Sequence, residues 1–330
     1  MLENNTENQH FLPRVEQKLN ALNPNAAPEN MRIYSFLLRD RENYTIELEQ
    51  PNGRSINNNL SMFDLFSFDV LENSKLRLNF ESLFQKYERN VEVHTLSLLD
   101  KVKTPGNDIK AEIIEIFTAK MLNFVRNPYS VVKVLNSFPG LATYDPTDPI
   151  LLANYLRIIS GKKPQQKYLC EKLGINEQQY LEWLRVLFML LAPMRDGAPN
   201  FFEEMIKGLL LNKKTWVEAH LCQYDQAGCL LSDRGYSIPL PGDDHMAFSF
   251  NLCSTAFISF MFADPRKLVA GRMSPEFIEK TVSNWENRKV IDIDVKCFRN
   301  DMPLLKIYNR HVIYQCQERV YCSVKDGIIY

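Results

Sequence analysis

The chain alternates between two spacings of hydrophobic and polar residues. In its first part the segments 33–37 and 44–48 are strand-like, and in 44–48 the apolar residues recur at every second position. Asn52-Gly53 follows them, and this pair readily adopts the positive φ angles of a tight turn. From about Phe80 the apolar residues lie three and four positions apart, which predicts helices.

The helical spacing persists through the middle of the chain, and strand spacing returns at Trp216. The predicted helices cover about 83–98, 109–125, 149–160, 165–174, 177–193, 199–211 and 303–315, with another starting at Ser274-Pro275. The later predicted strands cover 216–221, 228–231, 246–263, 290–297 and 319–324. The stretch 246–263 carries no charge, but its apolar residues alternate, so a buried sheet is expected there and no membrane helix.

The order strands, helices, strands is typical of the α+β class. The prediction is a single domain over 1–330 in which the last strands pair with the first ones. One mixed sheet would then combine N-terminal strands and turns (1–75) with a C-terminal α+β region (213–330). The helical region (76–212) would form a central insert in this sheet.

Composition narrows the class of protein. Hydrophobic residues make up 45% and charged residues 24%, as in an ordinary globular protein. The net charge of −1 gives no global attraction to nucleic acid or to an acidic membrane, although a nuclease needs only a local groove. Seven cysteines without Cys-x-x-Cys spacing indicate reduced thiols, and the N-terminus has no apolar signal segment. A cytoplasmic protein is expected, and a protein partner stays open.

Ser232-Asp233 ends the apolar run that begins at Gly228. A serine nucleophile in a Gly-x-Ser-x-Gly elbow is excluded, because Leu230 and Arg234 occupy the glycine positions. Asp233 could act as a base or bind a metal ion. It could equally form an Asx turn, in which the carboxylate accepts hydrogen bonds from nearby backbone N–H groups.

Other polar positions allow both a chemical and a structural interpretation. His10, before Pro13, is a ligand or base, or a histidine that hydrogen-bonds a turn. Arg126 ends an apolar helix, where it complements the helix dipole or binds an anion. Two carboxylate-rich segments could hold a divalent metal ion, or could be an exposed loop and a half-exposed strand: Asp243-Asp244-His245 and the Asp-x-Asp-x-Lys run at Asp292, Asp294 and Lys296.

The order of these pieces resembles an uncharacterised bacterial family, domain of unknown function 4238. Members of that family show His-x-x-Pro near the start, a glutamate on a helix, a helix ending in Arg-x-Pro, a Ser-Asp strand end and a late Asn. The corresponding segments here are His10-Phe11-Leu12-Pro13, Tyr87-Glu88, Arg126-Asn127-Pro128, Leu231-Ser232-Asp233 and Tyr308-Asn309. Arg234-Gly235 stands where the family has Asn-Pro. The resemblance implies one cytosolic domain of bacterial origin, and it supplies no reaction.

The resemblance selects six polar residues that are expected to meet in one pocket: His10, Glu88, Arg126, Ser232, Asp233 and Asn309. In a hydrolase, His10 would be the base or a ligand, and Glu88 and Asp233 would be acids or metal ligands. Arg126 would bind an anion, while Ser232 and Asn309 would orient the other groups.

Two classes of function remain open at this point. The first is a hydrolase, with a nuclease that uses a divalent metal in a toxin or phage-defence setting as its narrower form. The second is a non-catalytic interaction or sensor protein whose polar cluster is structural. The cofactor and the partner are not determined by the sequence.

Overall fold

The fold is taken from a computed structural model of the chain. The structure describes residues 2–71, 73, 76–104, 106–193, 197–239, 245–269, 274–287 and 293–330. Asp243, Asp244 and Asp292 lie outside the described residues.

Twelve α-helices and thirteen strands are present among the described residues. The helices are α1 Arg14–Lys18, α2 Glu81–Lys101, α3 Lys110–Arg126, α4 Val131–Ser137, α5 Pro139–Thr143, α6 Pro149–Ser160, α7 Gln166–Leu173, α8 Glu177–Leu191, α9 Phe201–Leu210, α10 Pro265–Val269, α11 Pro275–Glu286 and α12 Met302–Gln315. The strands are β1 Asn8–His10, β2 Arg32–Asp40, β3 Thr45–Leu48, β4 Arg54–Ser55, β5 Ser61–Phe63, β6 Ser67–Leu71, β7 Leu76–Asn79, β8 Trp216–Gln223, β9 Leu231–Ser232, β10 His245–Cys253, β11 Ala256–Ala263, β12 Asp294–Arg299 and β13 Arg319–Cys322.

The α+β class is confirmed, and the strands belong to several sheets. One sheet has the order β3-β2-β13-β9, so N-terminal and C-terminal strands do pair with each other, as expected. A second sheet has the order β10-β11-β8-β12 and contains a parallel pair, β12 with β8. The prediction of a single sheet is therefore too coarse, since β10, β11, β8 and β12 pair among themselves.

Two compact units make up the chain, and each is built from two separate stretches. Unit 1 comprises Met1–Gln17 and Ser55–Glu204, and unit 2 comprises Lys18–Arg54 and Met205–Tyr330. This division does not follow the three consecutive sub-regions that the sequence suggests, because the short N-terminal stretch packs with the helices.

Unit 1 has an aromatic core between its helices. Every third or fourth residue of α2 is buried, beginning with Phe84 and Tyr87, as an amphipathic helix requires. The Phe66 ring lies 4.9 Å from the Phe84 ring and 5.7 Å from the Trp183 ring, measured between centroids. The indole N–H of Trp183 donates to the carbonyl of Val125 at 2.7 Å, so it satisfies an acceptor in the last turn of α3.

Hydrogen bonds fix the N-terminal stretch of unit 1 in place. Strand β1 pairs antiparallel with β5, with His10 opposite Ser61. The fully buried Gln9 donates to the Ser67 hydroxyl at 2.8 Å and accepts from the backbone N–H of Phe66. These bonds attach the stretch to the rest of unit 1 and so position the strand that carries His10.

Unit 2 contains the uncharged stretch that the sequence placed in a buried sheet. Residues 245–263 form an antiparallel hairpin of β10 and β11, so the strand prediction is confirmed there. In the core of this unit the Phe257 and Tyr308 rings stack with centroids 4.0 Å apart. Among the described residues, no helix is both long enough and apolar enough to cross a membrane.

One predicted strand is wrong in its extent. Gly228, Cys229 and Leu230 are outside any strand, and β9 contains only Leu231–Ser232. The run is buried nonetheless, because its backbone finds other partners. The N–H groups of Gly228 and Cys229 donate to the Ser254 carbonyl, and the N–H of Leu230 donates to the Asn309 side chain.

Candidate active site

The six residues selected from the sequence divide equally between the two units. His10, Glu88 and Arg126 belong to unit 1, and Ser232, Asp233 and Asn309 belong to unit 2. The two sets differ in how their polar atoms are satisfied, and each is described within its own unit.

Arg126 is the most deeply buried member of the unit 1 set. It is the last residue of α3, and its side chain has no exposed surface. Its Nη1 donates to Oε1 of Glu88 at 2.8 Å, and its guanidinium carbon lies 5.0 Å from the centroid of the Phe84 ring. Its Nε and Nη2 are also buried, and neither has a hydrogen-bond partner among the described residues. Two donors of a fixed cation are therefore left for a further acceptor.

Helix α2 presents two carboxylates and an aromatic ring on the same face. Glu81, Phe84 and Glu88 are spaced at i, i+3 and i+7, so they project in one direction. Glu88 is the partner of Arg126 and keeps 30% of its side-chain surface exposed. Glu88 is thus the more exposed partner of this ion pair.

Glu81 is a member of this cluster that the sequence analysis does not select. Its Oε1 is buried and has no hydrogen-bond partner among the described residues. Burial, together with the negative charge of Glu88, raises the pKa of Glu81 from 4.5 to about 7, against the opposing effect of Arg126. An acidic residue in the first turn of a helix is ordinarily explained by the helix dipole. The seven-residue spacing from Glu88 is the one sequence signal that places Glu81 on the same face.

His10 reaches the same electrostatic environment from strand β1. Burial lowers its pKa from 6.5 to about 4, the nearby Arg14 and Arg126 add to this effect, and Glu88 opposes it. One ring nitrogen hydrogen-bonds the backbone of Ile56, while Nε2 is buried without a partner among the described residues. At neutral pH the ring is therefore uncharged, and Nε2 is available as a proton acceptor.

These four residues form what we call the His10 cluster: His10, Glu81, Glu88 and Arg126. The charges of Glu88 and Arg126 act on both His10 and Glu81, so the four groups share one environment. Their surroundings lower the pKa of His10 and raise the pKa of Glu81. A neutral base, a carboxyl group that titrates near pH 7 and two unused guanidinium donors are the components of acid–base chemistry on an anionic substrate.

Asp233 in unit 2 is satisfied by the backbone. Its two carboxylate oxygens accept hydrogen bonds from the N–H groups of Gln317, Glu318 and Arg319 at 2.7, 2.7 and 2.9 Å. Burial raises the pKa of Asp233, and these three N–H donors oppose the shift. The Ser232 hydroxyl accepts from the N–H of Arg234 at 3.0 Å. This geometry favours a structural role for the Ser-Asp pair, since its oxygens are already used. Ser232 makes a local turn bond, but the donors to Asp233 are distant in sequence, so Asp233 does not form the expected Asx turn.

Asn309 likewise satisfies backbone groups. Its side-chain oxygen accepts from the N–H of Leu230 at 3.0 Å, and its amide nitrogen donates to the carbonyls of Gly228 and Ile329, each at 2.8 Å. These bonds replace the strand pairing that 228–230 lacks. Ser232, Asp233 and Asn309 thus stabilise irregular chain segments of unit 2.

The metal-binding candidates receive no support from the described residues. Lys296 on β12 donates to Oε1 of Glu218 at 2.9 Å, and Asp294 lies opposite Glu218 in the strand register. Among the residues that the structure describes, no three His, Cys, Asp or Glu side chains are grouped so that they could hold a metal ion. Asp292, Asp243 and Asp244 are outside that part of the chain.

No protein-family model, no curated protein and no solved structure matches the chain. The resemblance to domain of unknown function 4238, and the roles that it implies for the six residues, stay predictions. The His10 cluster is therefore interpreted from its own chemistry.

Proposed function

We propose that unit 1 carries the active site of an acid–base hydrolase that acts on a phosphodiester or a similar anionic ester. One observation supports this above all others. Four buried polar atoms of one cluster have no hydrogen-bond partner within the described part of the chain: Nε2 of His10, Oε1 of Glu81, and Nε and Nη2 of Arg126. Buried polar groups are normally hydrogen-bonded, so unused ones at a single place indicate a site for a ligand.

Each group has a role that its environment favours. Nη2 and Nε of Arg126 bind an anionic oxygen of the substrate, because they are the donors of a fixed cation for which the described residues supply no acceptor. Nε2 of His10 accepts a proton from the attacking water as its oxygen bonds to the phosphorus. Glu81 gives its proton to the leaving oxygen as the old P–O bond breaks. Glu88 holds the Arg126 guanidinium in position.

The proposed roles predict a bell-shaped dependence of kcat/KM on pH. The active form needs a neutral His10, which exists above about pH 4, and a protonated Glu81, which exists below about pH 7. Cleavage of bis(p-nitrophenyl) phosphate and of single-stranded RNA and DNA oligonucleotides should therefore be fastest between these values. Each assay is run with added Mg²⁺ and with a chelator, so that a metal requirement is seen directly.

Substitutions separate the roles. We expect His10→Gln and Glu81→Gln each to lower kcat by about 10²–10⁴-fold, the usual contribution of a general acid or base. Glu81→Gln should also remove the descending limb of the pH profile. Glu115→Gln is the matched control: it makes the same carboxylate-to-amide change on α3, where Glu115 accepts a hydrogen bond from Asn90. Full activity in both His10→Gln and Glu81→Gln would contradict the proposal.

A structural role is the alternative, and one observation favours it. The same N-terminal stretch carries Glu16, which is buried with Lys120 and Asn123 of α3, so some polar groups of this region do connect elements. If the His10 cluster is structural, His10→Gln and Glu81→Gln should both lower the melting temperature. If it is a site, removal of an unpaired buried carboxyl should leave stability unchanged or raise it above pH 7. Thermal melts of the two variants distinguish the two cases.

A further inference from the structure

Unit 2 contains a cavity that is independent of the His10 cluster. Its volume is about 350 Å³, which is within the range of small-molecule sites. One face of the sheet forms the floor, where Glu218, His220 and Cys222 alternate along β8. Helix α12 forms the opposite wall with Ile307, Tyr308 and other residues.

Most of the lining is aromatic or aliphatic. Phe257 and Met261 of β11 face the cavity together with Tyr308, whose ring stacks on that of Phe257. Flat rings of this kind bind an aromatic ligand through stacking and edge contacts. The cavity is therefore suited to a compact ring system.

The polar floor is dominated by one ionised carboxylate. The Glu218 side chain is 3% exposed, and its Oε1 accepts from Lys296 and from the His220 ring, which lower its pKa against the effect of burial. Its second oxygen, Oε2, is buried and has no hydrogen-bond partner among the described residues. This oxygen can accept one further hydrogen bond.

The other polar groups of the lining also disfavour an anion. Among the lining residues that the structure describes there is one carboxylate, and there is no lysine or arginine. Burial lowers the pKa of His311, so its ring is uncharged at neutral pH and offers a lone pair. Lys296 and His220 lie on Oε1 and offset part of the Glu218 charge. At Oε2 an N–H group would find an acceptor, whereas a second carboxylate would find no donor there.

We propose that this cavity binds an aromatic molecule that carries an N–H donor and no negative charge. The ring packs among Phe257, Met261 and Tyr308, and the N–H donates to Oε2 of Glu218. This inference does not depend on the proposed hydrolase activity, because the cavity residues all belong to unit 2.

Three probes with one ring system test the proposal on the full chain. Indole is neutral, tryptamine is cationic and indole-3-acetate is anionic, and each is titrated by calorimetry and by ligand-detected NMR. Indole and tryptamine should bind, and indole-3-acetate should bind at least about tenfold more weakly because of the Glu218 charge. Equal binding of the acetate, or no binding of any probe, would overturn the proposal.

Two pairs of variants locate the binding. Ile307 lines the cavity and is 51% exposed, so Ile307→Trp should fill the cavity without disturbing the core, and all probe binding should be lost. Lys306→Trp makes the same change at the exposed neighbour on α12, outside the lining, and should bind as the parent chain does. Glu218→Gln should reduce the preference for tryptamine over indole-3-acetate by at least about threefold, whereas Glu115→Gln should leave it unchanged. Binding that survives Ile307→Trp, or an unchanged preference in Glu218→Gln, would place the ligand elsewhere.

Discussion

Burial acts in opposite directions on His10 and Glu81, and both residues lose charge as a result. Their pKa values in the folded chain are about 4 and about 7, whereas their ordinary values are 6.5 and 4.5. Between these limits the folded state carries a neutral imidazole and a neutral carboxyl group. The unfolded chain carries the imidazolium and the carboxylate over much of the same range.

This pair of shifts predicts how stability depends on pH. The lowered pKa of His10 gives a contribution that is present above pH 6.5 and is lost as the pH falls through 4. The raised pKa of Glu81 gives a contribution that is present below pH 4.5 and is lost as the pH rises through 7. Between pH 4.5 and 6.5, unfolding takes up a proton at His10 and releases one at Glu81, so their effects on the unfolding free energy cancel. We therefore expect the two residues together to add almost no pH dependence there.

Single substitutions should separate the contributions of His10 and Glu81 to the pH dependence of stability. Relative to the parent chain, the unfolding free energy of His10→Gln should fall as the pH rises from 4 to 6.5, by up to about 3 kcal/mol. That of Glu81→Gln should rise over pH 4.5 to 7 by a similar amount. Urea unfolding at a series of pH values measures both slopes, and differences from the parent chain remove the contribution of all other groups. Parallel curves for the parent and both variants would show that neither pKa is shifted.

At the scale of elements, a buried ion pair attaches the N-terminal stretch to α3. The Lys120 ammonium donates to Oε2 of Glu16 at 2.6 Å, with 0% and 1% of the two side chains exposed. Asn123, one turn further along α3, donates to the other carboxylate oxygen at 2.6 Å. Both charges are buried away from water, so each is stabilised by the opposite charge of its partner.

Removal of one partner should therefore lower the unfolding free energy much more than removal of both. Lys120→Met leaves a buried carboxylate without its cation and should lower the unfolding free energy by about 3–5 kcal/mol. The double substitution Glu16→Gln with Lys120→Met should recover more than half of that loss, since no uncompensated charge remains. Lys101→Met is the control: its ion pair with Glu112 is partly exposed at the lysine, and its loss should cost no more than about 1 kcal/mol. Equal losses in the two lysine variants would argue against this account.

Element positions could be predicted where the periodicity was strong. Helices α2, α3, α6 and α8 lie within a few residues of their predicted limits, because their buried residues repeat at helical spacing. The segment 228–231 was misjudged because an apolar run also suits irregular chain when side chains such as Asn309 satisfy its backbone. Sheet membership was not accessible, since pairing such as that of β12 with β8 depends on contacts distant in sequence.

The candidate site was predictable in part. His10, Glu88 and Arg126 were selected from the sequence, and they do share one environment in unit 1. Glu81 was missed because an acidic first-turn residue has a sufficient explanation in the helix dipole. The sequence likewise contains no sign that the oxygens of Asp233 would be used by the N–H groups of 317–319, because that depends on tertiary approach.

At the scale of the whole molecule, each unit has a core of its own. The rings around Trp183 lie in unit 1, and the cluster around Tyr308 lies in unit 2. Each core is assembled from stretches that are separated along the chain. A substitution that destabilises one unit should therefore increase local opening in that unit before it affects the other.

Hydrogen exchange with mass spectrometry on the intact chain tests this expectation. Lys120→Met should speed exchange in peptides over 110–126 and 177–191 more than in peptides over 216–223 and 256–263. Asp233→Asn, which weakens the bonds to 317–319, should show the reverse order. If either variant accelerates all four regions equally, the two units open together and the expectation is wrong.

The pairing of β2 with β13 has a consequence for synthesis of the chain. Strand β2 can form its hairpin with β3 at once, but its other edge waits for β13, which is made about 280 residues later. Until then the nascent chain displays a strand edge that contains Ile33 and Phe36, both buried in the finished protein. The unpaired N–H and C=O groups of such an edge can hydrogen-bond with strands of other chains. Topology alone therefore leaves one edge of residues 32–40 unpaired for most of the time that the chain takes to be synthesised.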